Sequence, residues 1–319
     1  AIGRVIPRSG PYNSPQPMYR TLVIVRHTFL ESIVQPIYLL LLALCAAVLI
    51  VFGLLPFFTM GQDTVMFKAV GLDMVLLFVL IATLFATSKS IYEEIEDRTM
   101  LTLMSKPLRR WEVLVGKYLG IVLAALLAVA ILGAVLIVCT RYRIPGDYQF
   151  RAWTLDDRES RQIWEYRWMH IHGLLASLVL VWLQVSVLAA IGVALSTRFS
   201  LVVNLPAVIL IYVAGNLTRF LFPLDNQSAG VKVLSRAVAL VLPYLATFDL
   251  RSMTVYHDIA LKGTQFWPPP NTLHPDAVYL NQIWAYVGIA ALYGITYVAF
   301  ALSAGMWLFK TRELGGAEG

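Results

Sequence analysis

Charge is scarce in this sequence. Of its 319 residues, 14% are Asp, Glu, Lys or Arg, against about 25% in an ordinary soluble domain. Cysteine is scarcer, with two residues, which excludes a disulfide-stapled scaffold. A phosphate-cradling loop is missing as well. The pattern GxxxxGK[ST] sets backbone amides and a lysine around the phosphates. The only Gly-Lys pair is Gly116-Lys117; Tyr118 follows it, and Trp111 stands where the first glycine belongs. The chain is therefore expected to bind no nucleotide of its own. No secretory signal pattern opens it. No Ser/His/Asp set or carboxylate pair is legible, which argues against an enzyme.

Apolar residues are abundant. The AVILMFWYC class makes up 59% and the mean hydropathy is +0.71. A soluble domain of this size cannot hide that much apolar surface from water. The expected class is an all-α polytopic membrane protein. The net charge of +6 does not point to nucleic acid, because the basic residues fall between apolar runs, where membrane topology requires some.

A helix crossing about 30 Å of hydrocarbon needs about 20 mainly apolar residues. Six segments qualify, at about 36–58, 70–88, 116–139, 172–195, 200–222 and 282–309. Residues 1–17, with four Pro and two Gly, read as a flexible tail, and 315–319 as a second one. In 18–35, Leu22, Val25, Phe29 and Ile33 recur at helical spacing among Arg26, His27 and Glu31. This segment is expected to be an amphipathic interfacial helix, broken from the first span at Pro36. An even span count puts both ends on one side. Arg198 in the tight loop 196–199, and Lys310 and Arg312 after the last span, favour cytoplasmic termini.

Two long outer connections are expected. Residues 140–171 mix six Arg and five acids with three Trp, as an ordered outer element would. Residues 223–281 contain an apolar stretch interrupted by Pro243, suited to a re-entrant or interfacial helix pair. Either connection is a candidate docking place for an extracytoplasmic partner.

The densest charge lies between the second and third spans. Residues 89–117 carry 6 of the 25 basic and 5 of the 19 acidic residues. Acids come first and bases later, which complements a helix dipole, and Pro107 must end that helix. The segment Glu93-Glu94, Glu96-Asp97-Arg98-Thr99, Leu103, Ser105-Lys106-Pro107, Arg109-Arg110, Trp111-Glu112 and Gly116-Lys117 resembles the permease subunits of ABC-2-type transporters. LPYLATFDL at 242–250 and FKTREL at 309–314 are weaker points of the same likeness. The closest flavour is the multi-copper-enzyme-maturation permease branch, which includes the nitrous-oxide-reductase accessory permease.

The resemblance implies a six-span exporter subunit driven by a separate ABC ATPase. A coupling helix within 89–115 would dock on that ATPase through Glu93, Glu94, Glu96, Asp97, Arg98, Thr99, Leu103, Lys106, Pro107, Arg109 and Arg110. It also implies a second permease copy, ATP and Mg on the partner rather than on this chain, and an inner-membrane location. A membrane scaffold or assembly factor for an extracytoplasmic complex is the alternative.

Within the spans, Asp73 reads either as a hydrated interfacial acid or as a functional one. Gln184, Asn204 and Asn216 would either line a pathway or join helices by hydrogen bonds. Gly116 and Gly120 form a small-xxx-small pair suited to close helix packing. His170 and His172, two apart, do not share a helix face, so no metal site is expected. Cys45 and Cys139 read as core residues.

Overall fold

In a computed structural model, the structure describes residues 17–55, 63–94, 109–147, 157–221, 242–255, 259–260 and 278–310. Long helices dominate. They are α1 (Pro17–Val34), α2 (Pro36–Leu54), α3 (Asp63–Thr87), α4 (Arg110–Asp147), α5 (Asp157–Ser196), α6 (Leu201–Leu221) and, after a one-turn α7 (Arg251–Thr254), α8 (Leu280–Lys310). A π turn, Ser88–Glu93, continues α3, and a 3-10 turn, Leu245–Phe248, precedes α7. The only strands among the described residues are the two-residue β1 (Ile259–Ala260) and β2 (Val278–Tyr279), paired in parallel.

Five of these helices are long and apolar enough to cross a membrane: Pro36–Leu54, Asp63–Tyr92, Arg110–Arg143, Arg167–Ser196 and Leu280–Phe309. The sixth expected span is a helix too, Leu201–Leu221, and Pro206 sits inside it. Helix α1 is distinct from α2 as the sequence suggests. Gln35 leaves the helix at φ −60°, ψ 125°, the extended conformation that a following proline imposes.

The chain runs up and down, so the α3–α4 link, the α5–α6 turn and the end of α8 share one face, here the near face. Helices α3 and α5 form the centre, and Val75, Leu80, Leu84, Leu180, Val185 and Leu188 are fully buried there. Helices α2 and α8 lie outside, with Leu39, Leu40, Leu44, Ile289, Leu292 and Phe300 exposed. Such a surface suits hydrocarbon, which is as apolar as the side chains themselves.

Three boundaries differ from the sequence expectation. Helix α3 begins at Asp63, seven residues before the expected start at 70. Helix α4 continues eight residues past 139, to Asp147, and α5 begins at Asp157 rather than 172. Most of the expected outer connection 140–171 is thus the far ends of two helices. Hydropathy stops where lipid stops, whereas backbone hydrogen bonding continues into water as long as the residues remain helix formers.

Candidate functional site

On the near face, the two ends of the 89–117 segment are tied together. Lys117, on the second turn of α4, is 3% exposed. Its ammonium donates to the Ser90 carbonyl, to Ser90 Oγ at 3.1 Å and to the Glu94 carboxylate at 2.6 Å. Three acceptors satisfy the three donors of an ammonium, which is what a buried lysine requires. The π turn offers these acceptors from the end of α3, and Glu31 of α1 adds a further negative charge within electrostatic reach.

The start of α4 is capped by its own sequence. The Arg109 amide donates to Glu112 Oε2 at 3.3 Å, the reciprocal half of a capping box. Arg110 stands over the Phe309 ring at 5.6 Å and reaches the Phe309 carbonyl at 3.5 Å. Arg198 reaches the Leu308 carbonyl at 3.4 Å. Two cations therefore meet the unpaired carbonyls at the C-terminal end of α8, where the helix dipole favours positive charge.

Helix α1 closes this face. A Cβ on Gly116 would stand 2.9 Å from Ile24 Cγ2, and one on Gly120 would stand 2.7 Å from Thr28 Cβ and 2.8 Å from the Val25 carbonyl. The glycine pair is the surface on which α1 lies. Nothing in the sequence alone names α1 as its partner.

Of the acidic and basic residues expected to dock a partner, Glu94, Arg109 and Arg110 are placed as above. The backbone of Glu93 ends the π turn. Glu96, Asp97, Arg98, Thr99, Leu103, Lys106 and Pro107 lie outside the described residues.

On the far face, residues 242–255 thread back among α3, α5, α6 and α8. Leu245, Phe248, Leu250 and Val255 are buried in the main core. The Tyr244 amide donates to Tyr293 Oη at 2.8 Å, and Tyr286 Oη donates to the Thr247 carbonyl at 2.9 Å. Gly215 of α6 leaves room for the Pro243 carbonyl, which a Cβ there would meet at 2.8 Å. Arg251 pairs with Asp73 of α3 at 2.6 Å and with Asp249 at 3.2 Å. Burial works against its charge. The hydrogen bond and charge of Asp73, helped by Asp249, outweigh that and hold the guanidinium above its ordinary pKa. Deeper in, Lys68 of α3 is 1% exposed. It lies 2.9 Å from His170 Nδ1 and donates to the Val255 carbonyl at 3.4 Å. Ser177 and Thr254 meet at 2.6 Å.

Asp73 is thus an ion-pair partner of Arg251 in residues 242–255. Asn204 joins helices, donating to Ser196 Oγ at 2.7 Å and to the Gly192 carbonyl at 3.3 Å. Asn216 donates within its own helix to the Tyr212 carbonyl at 3.0 Å. Gln184 is buried in α5. Among the described residues no three His, Cys, Asp or Glu side chains gather as metal ligands. Lys68, Arg143 and Arg251 were not singled out by sequence reasoning. Lys68 and Arg143 were visible there as charges at span ends. Arg143 clamps the α2–α3 hairpin through the Phe52 and Gly53 carbonyls at 3.0 and 3.2 Å and Asp63 at 3.4 Å.

A family profile described as ABC-2 family transporter protein matches residues 58–304. The chain belongs to that family. An ABC-2 chain is the membrane component of an ABC transporter, so the apolar helices are membrane helices and an ABC ATPase is the partner that the family implies. The match takes in both faces just described: the near-face ties around Lys117 and the far-face segment 242–255. No curated protein matches the chain.

Proposed function

We propose that this ABC-2 chain is the six-span permease subunit of an exporter, worked by a separate cytoplasmic ATPase through residues 89–117. The near face is then the cytoplasmic one and both termini lie on it, in the inner membrane. Two permease chains and two ATPase chains make the working unit, with ATP and Mg held by the ATPases. Helix α1 lies along the cytoplasmic interface, and the coupling segment lies within 89–115. The branch is that of the multi-copper-enzyme-maturation permeases.

One observation carries the reading. Helix α3 with its π turn bears Ser90 and Glu94 at one end, tied to Lys117, and Lys68 and Asp73 at the other, tied to Val255 and Arg251. From Asp73 to Ser90 the helix rises roughly 25 Å at about 1.5 Å per residue. A push delivered to 89–117 therefore reaches α3 and α4 as one body, and α3 carries it to the far-face segment. An unanchored loop would dissipate the same push. The π turn at the end of α3 is of a kind frequent at functional sites.

Purifying the tagged chain from its own cells in mild detergent tests the reading. An ABC ATPase is expected to co-purify, with ATP hydrolysis in the complex and none in the chain alone. Arg98→Glu and Asp97→Arg are expected to release the ATPase while leaving the membrane helices folded. Recovery of no ATPase, or of an extracytoplasmic assembly instead, would replace the exporter reading with the scaffold one.

A further inference from the structure

We propose that the far-face ends of α4 and α5 form a binding site for the phosphate headgroup of an anionic phospholipid, built on Arg141 and Arg167 and edged by Trp168. The site stands on the helix geometry and is independent of the exporter reading.

Depth comes first. A bilayer of about 40–45 Å including headgroups takes about 27–30 helical residues. Counted back from Ser196, at the near-face end of α5, this reaches residues 166–169. Counted on from Arg110, at the start of α4, it reaches 137–140. Arg167 thus falls in the headgroup layer of the far leaflet, and Arg141 stands at its outer edge, one residue beyond the count.

Charge comes second. Arg141 is close enough to Arg167 for the two guanidinium groups to repel. Neither has a carboxylate partner among the described residues, whereas each described ion pair of an arginine is closed by an aspartate. The Nε–H of Arg167 is buried and has no acceptor. A buried donor on a cation, beside a second cation, calls for an anion with several acceptor oxygens. Arg167 is half-buried and Arg141 exposed, so such an anion can approach from the lipid side.

The surroundings select a lipid over a free ion. Trp164, Trp168 and His172 follow at i, i+4 and i+8 on α5. The two indoles meet edge to face at 5.5 Å, and Trp168 and His172 lie 5.4 Å apart. His172 Nδ1 donates to the Trp168 carbonyl at 2.8 Å, which fixes the imidazole in the stack. Leu175, one turn deeper, is exposed. The stripe therefore runs from headgroup level, where Trp is favoured, onto an apolar surface that an acyl chain can follow. Basic pockets between membrane helices are known to take anionic headgroups.

The test is native mass spectrometry and thermal unfolding of the full chain in detergent with phosphatidylglycerol, phosphatidylcholine or inorganic phosphate. Wild type is expected to retain phosphatidylglycerol over phosphatidylcholine and to unfold later with it, while inorganic phosphate has no effect. Each of Arg141→Gln and Arg167→Gln is expected to reduce that preference about fivefold, with unfolding in phosphatidylcholine unchanged. Arg167→Lys is expected to keep part of it. Equal retention of the two lipids by wild type would overturn the site, without need of any variant. So would a double Gln variant that keeps the preference, or a stabilisation by inorganic phosphate equal to that by the lipid.

Discussion

Lys117 and Glu94, 23 positions apart, meet at 2.6 Å with the lysine side chain 4% exposed. The pair joins the end of the α3 π turn to the start of α4 and so sets the spacing between the two ends of the most charged segment in the chain. Removing a partner from a fully buried pair costs about 3–5 kcal/mol, because it leaves a buried charge uncompensated. Glu94 is a quarter exposed and Ser90 stays in place, so Glu94→Gln is expected to cost less, about 2 kcal/mol. Thermal unfolding in detergent measures this. The double variant Glu94→Gln with Lys117→Met is expected to recover part of the loss. A double-variant loss equal to the sum of the two single losses would show that the two residues do not interact.

Gly120→Ala is expected to destabilise by about 1–3 kcal/mol, the usual cost of overpacking, because its methyl group would run into the backbone of α1 at Val25. A methyl group added at Gly288 would meet nothing within 4 Å. Gly288→Ala is therefore expected to be neutral or to stabilise by up to about 1 kcal/mol through helix propensity. Parallel unfolding of the two variants checks the contrast. An unaffected Gly120→Ala would mean that α1 is not seated on α4.

Asn204→Ala is expected to cost about 1 kcal/mol, since hydrogen bonds between membrane helices are worth about 0.6 kcal/mol on average and two are lost. If Asn204 only joins α5 to α6, transport per folded molecule stays at the wild-type level. A transport defect larger than the loss of folded protein would instead assign Asn204 to the pathway.

The Arg251 guanidinium has its pKa raised in the folded chain. A raised folded pKa gives stability that is complete below the unfolded value and lost only as pH rises through the folded one. The ordinary guanidinium value already lies above this range, so the contribution is expected to stay flat from about pH 6 to pH 11. Arg251→Ala is expected to raise hydrogen exchange across 243–255 at every pH in that range. An exchange pattern unchanged by the substitution would mean that the Asp73 contact does not hold the segment.

The membrane class, the helix positions and the break before Pro36 were legible in the sequence because each is a local matter. About 20 apolar residues suffice for a span, and a proline dictates its neighbour's backbone. The extent of α4 and α5 was not legible. Arg141, Arg143 and the acids of 157–165 end the hydropathy signal, whereas the helix continues on backbone hydrogen bonds that polar side chains do not interrupt. The two readings left open for Asn204 and Asp73 shared one cause: a polar residue in an apolar run has the same sequence signature whether it faces a neighbouring helix or a pathway.

By itself, the sequence determined which solvent each stretch meets, where the scarce charges cluster, and that Gly116 and Gly120 present a smooth helix face. These follow from composition and from the 3.6-residue period. The tertiary structure alone decided that α1 fills that face, that Lys117 finds Glu94 and Ser90, and that Asp73 and Lys68 hold the returning segment 242–255. A buried charge needs partners within hydrogen-bond reach, and in a bundle of antiparallel helices those partners come from positions brought close by packing. For Lys117 they lie 23 and 27 residues away, and for Asp73 the partner lies 178 residues away.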